Sequence, residues 1–246
     1  MSVLVLPGVK YVMCILNCKK YDFKRRMQLD TWVPDIPSDI FWFHLQGNLE
    51  LKECTYDSEK HILTVPANDS YEGVARKMYL VYAYINKLMK RNPGIIGVIK
   101  LDDDVFISMH RLYKLVSENQ DKDYFGNTLF HRGTTSYGFE EVENKSILPV
   151  GGYQIENVQF CGGPGYYLSR KAIEIIAASE QVFNSCILED LMVGLALKGK
   201  VHPHHLPICS SANFGSAGYV IDAYRPEHRK YYQNWELTRA IYERMK

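Results

Sequence analysis

Apolar residues in this chain fall in compact runs, separated by segments in which they recur every three or four positions. Residues 11–17 (YVMCILN) form one such run and predict a buried first strand. Residues 21–32 read as a helix that Pro34 and Pro37 stop. Residues 39–45 (DIFWFHL) are aromatic-rich and strand-like, and Gly47 ends them. With Asp69 or Ser70 as N-cap, Val74, Met78, Val81, Ile85 and Leu88 make one helical stripe fit to cover a sheet. Asn92-Pro93-Gly94 breaks that helix, and residues 95–101 (IIGVIKL) predict a central strand, followed by a helix over 109–117. Residues 120–159 carry many Gly, Asn and Glu and little periodicity, which predicts a long irregular stretch of functional loop or disorder. Residues 160–169 (FCGGPGYYLS) are glycine-rich and then strand-like, and helices are expected over 170–179 and about 189–198. The charged, aromatic tail 226–246 reads as a terminal helix. Strands alternating with helices predict an α/β layer structure.

Composition narrows this picture without redirecting it. At 246 residues and 28.4 kDa the chain suits one full-sized domain. A formal net charge of +1 gives no reason to expect nucleic acid or an acidic membrane as partner. No apolar run approaches the length of a membrane span, and the run at 3–6 stops at Pro7-Gly8, too short for a signal peptide. The expectation is a cytoplasmic protein as given, or a Golgi-lumen protein if an anchor was removed. The six cysteines (Cys14, Cys18, Cys54, Cys161, Cys186 and Cys209) include no CxxC pair and read as buried free thiols, with a disulfide or zinc site as the minority alternative. The sequons at Asn68 and Asn144 would matter only in the secretory pathway.

The chemistry-bearing feature is Asp102-Asp103-Asp104, at the end of the 95–101 strand. Three adjacent carboxylates repel one another and cannot all ionise cheaply when buried. A hard divalent cation with oxygen ligands is the common relief, and Mn2+ or Mg2+ both suit it. Alone, the triplet could equally be a solvated turn or a helix cap. The apolar strand before it and Val105-Phe106-Ile107 after it favour the metal reading. Ligands of open α/β sheets bind at the carboxyl ends of strands. A metal-dependent phosphotransferase or nucleotidyltransferase would fit the same residues. Glu189-Asp190 reads as the acidic first turn of a helix, and beside a metal site either carboxylate is a candidate general base.

In this order the motifs resemble the inverting β-1,3-glycosyltransferases: β-1,3-galactosyltransferases, β-1,3-N-acetylglucosaminyltransferases and Fringe enzymes. Arg25 with Thr31-Trp32 is similar to the family's arginine-rich helix end, and residues 43–47 to its phenylalanine-leucine-glycine strand end. Asp69-Ser70-Tyr71 with Lys77 resembles its Asp-Ser-Tyr…Lys signature. KLDDDVF resembles the donor-metal motif, CGGPGYYLS the glycine-rich segment, and Glu189 to Gly194 the Glu-Asp-Val-x-x-Gly motif.

The resemblance implies a GT-A fold, a Rossmann-like α/β/α sandwich with a central mixed sheet. It implies one catalytic domain, with a nucleotide-binding half over about 8–118 and an acceptor and catalytic half over about 119–246. It implies a UDP-sugar donor, usually with Mn2+, and a glycan or glycoprotein acceptor recognised around 120–159. Asp104 would ligate the metal, with Asp102 and Asp103 orienting metal, ribose or sugar. Asp190, beside Glu189, would be the base. Arg25, Asp69 and Lys77 would line the nucleotide pocket, and Gly163 and Gly165 would let the backbone approach the sugars.

Three departures stand out. Asp222 occupies the place of a late metal-binding histidine, with His228 as the alternative third ligand. Leu29 replaces an arginine, and Ala196 replaces a disulfide cysteine, which points to a reducing compartment. The expected activity is a β-1,3-hexosyl transfer of galactose or N-acetylglucosamine. The alternative is a catalytically silent glycan- or nucleotide-binding module on the same fold.

Overall fold

The computed structural model describes residues 4–206, 209–210 and 221–223. An eight-stranded mixed sheet forms its centre, in the order β3-β4-β2-β1-β5-β8-β7-β9. The strands are β1 (Tyr11–Leu16), β2 (Ile40–Gly47), β3 (Thr55–Asp57), β4 (Ile62–Val65), β5 (Gly97–Leu101), β7 (Tyr124–Thr135), β8 (Tyr153–Ser169) and β9 (His204–His205). β6 (Val105–Ile107), β10 (Cys209–Ser210) and β11 (Ile221–Ala223) form a second small sheet. β1, β2, β4 and β5 run parallel, whereas β8 runs antiparallel to β5 and β7 antiparallel to β8.

Alternation along the strands splits the core into two layers. Val12, Cys14, Phe43, Leu45 and Val98 pack with α2 (Val74–Arg91), α4 (Arg170–Ala177) and α5 (Glu189–Leu197) on one face. Tyr11, Met13, Ile15, Ile99 and Leu101 pack on the other, with Met27 from α1 (Asp22–Leu29) and Leu112 and Val116 from α3 (Met109–Glu118). The result is the expected α/β/α sandwich. Cys14, Cys161 and Cys186 are buried and Cys18 and Cys54 half-buried, all five as free thiols.

Several expectations need correction. Residues 120–159 are not an irregular stretch: β7 and β8 make a long antiparallel ladder from Tyr124↔Leu168 out to Thr135↔Tyr153. Only the inner end is covered, by β5 on one edge and the core layers on the faces. The outer end carries mixed, largely exposed residues, so no apolar alternation marks it, and bulges between Gly126 and Thr128 and between His131 and Gly133 interrupt the period. The irregular part is the connection after Thr135, with short 3-10 turns at Phe139–Glu141 and Lys145–Ile147.

The helix expected over 21–32 ends at Leu29: the Thr31 hydroxyl donates to the Met27 carbonyl, and Trp32 turns into the core, where its Nε1 donates to the Val105 carbonyl. Neither Asp69 nor Ser70 caps α2 with its side chain, because a 3-10 turn, Tyr71–Gly73, precedes the helix. The helix expected over 226–246 and His228 lie outside the described residues.

Candidate active site

The parallel strands end on one edge, and the chemistry collects there. β5 runs into Asp102, Asp103 and Asp104. Because β8 is antiparallel and pairs Gly165 with Leu101, its own preceding residues, Cys161 to Pro164, pass over the same strand end. The Asp102 amide donates to the Pro164 carbonyl at 3.2 Å, locking the two segments together. α5 starts opposite them. Gly194 of α5 permits this approach, since a Cβ there would lie 2.5 Å from the Phe160 Cβ of β8.

The two acidic groups, far apart in the chain and expected to share one reaction, lie side by side in the fold. A Cβ on Gly163 would lie 3.4 Å from Asp102 Oδ2, 3.6 Å from Asp190 Oδ2 and 3.7 Å from Glu189 Oε1. Gly163 therefore sits in the gap between the carboxylates, and its amide donates to Asp190 Oδ2 at 3.0 Å. The bare backbone at Gly163 thus brings carboxylates of both acidic groups within reach of one point.

Each carboxylate has its own environment. Asp103 is held by Lys24 at 2.8 Å and by the Asn17 amide at 3.1 Å, yet burial leaves its pKa raised against the pull of Lys24. Asp104 is pushed up to about 7 by burial, then by repulsion from Asp102 and Asp103. Glu189 rises to about 7 chiefly through burial, with Lys100 opposing and Asp190 adding repulsion. Asp190 is raised by burial against the lowering by Lys100, and its Oδ1 accepts from the Leu191 amide at 2.8 Å.

Other expected site residues form a neighbouring frame. Asp69 accepts from the Gly47 amide at 2.6 Å, the Lys19 amide at 2.8 Å and Lys77 Nζ at 3.0 Å. The buried Lys77 also donates to the Asn17 carbonyl at 2.7 Å. Asp69 and Lys77 thus tie together the ends of β1 and β2. Arg25 pairs with Asp22 at 2.8 Å on α1. Gly165 lies in the β5–β8 ladder. Asp222 is in β11, its backbone paired with Phe106, two residues past Asp104.

A family model for galactosyltransferases matches residues 46–207. The chain belongs to the galactosyltransferase family. Its fold matches a solved structure described as a glycosyltransferase involved in the glycosylation of the major capsid of PBCV-1, with a TM-score of 0.50 and 11% sequence identity over 93% of this chain and 99% of that one. At that identity the likeness speaks for the GT-A fold alone. No curated protein matches the chain by sequence. This galactosyltransferase-family member is accordingly a glycosyltransferase, acting on a sugar donor and an acceptor. Among the described residues no helix is long and apolar enough to cross a membrane.

Sequence reasoning passed over Lys100, Tyr166, Lys24 and Gln28. Lys100 did leave a signal: a lysine inside the apolar run IIGVIKL must find partners when buried. The Gln28 amide donates to the Asp102 carbonyl at 3.4 Å, while its Oε1 lies 2.9 Å from Nε2 of the buried His44. Nothing in their spacing marks this pair.

Proposed function

We propose that this galactosyltransferase-family chain is an inverting, metal-dependent hexosyltransferase. It moves galactose or N-acetylglucosamine from a UDP-sugar to a hydroxyl of a glycan or glycoprotein acceptor, forming a β-1,3 linkage. One observation carries this reading: Asp102 and Asp190, 88 residues apart, flank the same bare backbone at Gly163.

The donor set suits a divalent cation. All its atoms are hard oxygens, and the Asp104 carboxyl is raised first by burial and then by repulsion from Asp102 and Asp103. Among the described residues no group of three or more His, Cys, Asp or Glu is arranged to hold a metal. Cations of this class in phosphate-binding sites use one or two carboxylates and complete the shell with phosphates and water. Asp104 and Asp102 would hold Mn2+ or Mg2+, with Asp222 as the third protein ligand, supplying positive charge for the diphosphate.

The chain's own residues supply the rest. Asp190 Oδ2 takes the proton of the acceptor hydroxyl. The acceptor oxygen bonds to the sugar C1 from the face opposite the diphosphate, the C1–O bond to UDP breaks, and UDP leaves with the electron pair. A single displacement of this kind inverts the anomeric centre, as in inverting glycosidases. The raised pKa of Asp190 improves its basicity toward a hydroxyl. Glu189, expected beside it as a catalytic group, has both oxygens engaged, by Lys100 and by Tyr166, and we assign it to support. Asp103, with Asn17 and Lys24, and the frame of Arg25, Asp69 and Lys77 face the nucleotide in this reading.

Incubation with a panel of UDP-sugars, Mn2+ or Mg2+ and glycan acceptors tests the assignment. Transfer with release of intact UDP is expected. Tight UDP binding without transfer would favour a silent module, and cleavage within the diphosphate a phosphotransferase.

A further inference from the structure

We infer that Lys100 is a positioning residue whose one ammonium group sets the spacing between the acidic triplet, the glycine-rich segment and the helix that carries Asp190. The inference rests on the transfer reaction proposed above. Lys100 is fully buried on β5. Its Nζ lies 2.6 Å from Asp102 Oδ1, 2.6 Å from the Gly163 carbonyl and 2.6 Å from Glu189 Oε1. An ammonium has three protons and no acceptor, so every donor of Lys100 is used, each on a different segment of the site.

The clasp extends further. Glu189 Oε2 accepts from the Tyr166 hydroxyl at 2.7 Å, and that hydroxyl lies 2.5 Å from Tyr82 Oη on α2. Glu189 is thereby anchored to β8 and to the helix that covers it. Asp190 is the next residue, and the amide that binds it belongs to Gly163, whose carbonyl Lys100 holds. Lys100 therefore fixes both supports of the Asp190 carboxylate: the residue before it and the glycine that donates to it. Partners of this kind orient a reacting group without touching substrate. Its removal takes one partner from Asp102 but both supports from Asp190, so it should disturb the placement of the base more than donor binding.

The test compares wild type, Lys100→Met and Lys100→Met/Glu189→Gln by steady-state kinetics, UDP calorimetry and amide hydrogen exchange. For Lys100→Met we expect kcat to fall about 100-fold with donor KM and UDP affinity changed by less than about threefold, as for a misplaced catalytic group. Exchange at the Gly163, Leu191 and Met192 amides should speed up about tenfold or more, while Leu112 and Val116 in α3 keep their rates. The double variant no longer buries a Glu189 carboxylate stripped of its cationic partner and should regain about tenfold in kcat. Unchanged exchange at Gly163 and α5, kcat within about threefold of wild type, or a general loss of protection that the double variant does not reverse would each overturn the inference. If Lys100→Met does not fold, Tyr166→Phe carries the same test, with about tenfold loss of kcat and the same local exchange signature expected. A wild-type protein that binds UDP but transfers no sugar would remove the proposed reaction, while the exchange data would still decide whether Lys100 positions α5.

Discussion

Asp102, Asp103 and Asp104 stand half-buried at the end of a strand, whereas Glu189 and Asp190 open a helix, where its dipole favours negative charge. Each group faces the same difficulty of crowded carboxylates, and each meets it differently. In the pair, Lys100 and Tyr166 engage Glu189 and backbone amides donate to Asp190, although burial still pushes Glu189 up to about 7. In the triplet, Lys24 and Lys100 meet Asp103 and Asp102, and Asp104 keeps a carboxyl pushed up to about 7. The difference lies in geometry. The pair is clamped on a helix end by Lys100, Tyr166 and backbone amides, which suits holding a base in place. The triplet crowds three carboxylates at a strand end, which suits taking up a cation.

The largest expected effect strikes the base. Asp190→Asn keeps the shape of the side chain and one of its two backbone hydrogen bonds but cannot take up the acceptor proton, so kcat should fall by about 10³-fold while UDP affinity persists. Calorimetry beside steady-state kinetics checks both halves of that statement.

Asp104→Asn tests the other member of the comparison. Transfer should fall by about 10²-fold, as when one electrostatic group of a transition-state clamp is removed. The metal-free protein should nevertheless become more stable. A carboxyl raised in the fold releases its proton less readily there than in the unfolded chain, so its cost is absent below the ordinary carboxylate range and complete above about pH 7. Chemical denaturation at pH 8 should show a gain of roughly 1 kcal/mol, discounted for partial exposure, and none at pH 3.5.

Gly163→Ala probes the gap between the two sites. Its Cβ would meet the carboxylates at 3.4 to 3.7 Å, an ordinary contact, so the melting temperature should hold. The occupied gap should still cost about tenfold in kcat, comparable to small misplacements of reacting groups. A variant that melts early but turns over normally would sever the link between the sites.

The effect farthest from the reaction concerns His44, which meets the triplet through Gln28. Burial, then Arg25, depress its pKa to about 3, so the fold holds it neutral. The unfolded chain takes up a proton below about pH 6.5. Stability from this residue is complete above that value and should drop by about 2 kcal/mol as pH falls from 6.5 to 4.5. His44→Asn should flatten that slope in urea titrations across the same range.

What could be read from residues alone follows the burial. β1, β5 and α2 bury continuous or regularly spaced apolar positions, and their places were legible to within a few residues. The outer half of β7 and β8 was not, because Leu129 and Phe130 are exposed and backbone pairing rather than apolar alternation holds the ladder. β3 and β4 are too short for a period to show. In the site, the aspartates and Glu189-Asp190 were legible as clusters. Their meeting over Gly163 was not, since it depends on β8 running antiparallel to β5 and delivering the glycine segment to the strand end.

A single displacement run between the triplet and Asp190 fixes the anomeric configuration of the first product formed. Proton NMR of a reaction with UDP-galactose or UDP-N-acetylglucosamine, Mn2+ and a glycan acceptor should show a new β linkage from the α-linked donor. That signal should be absent with Asp190→Asn. An α product, or a β product formed at the wild-type rate by Asp190→Asn, would contradict the account.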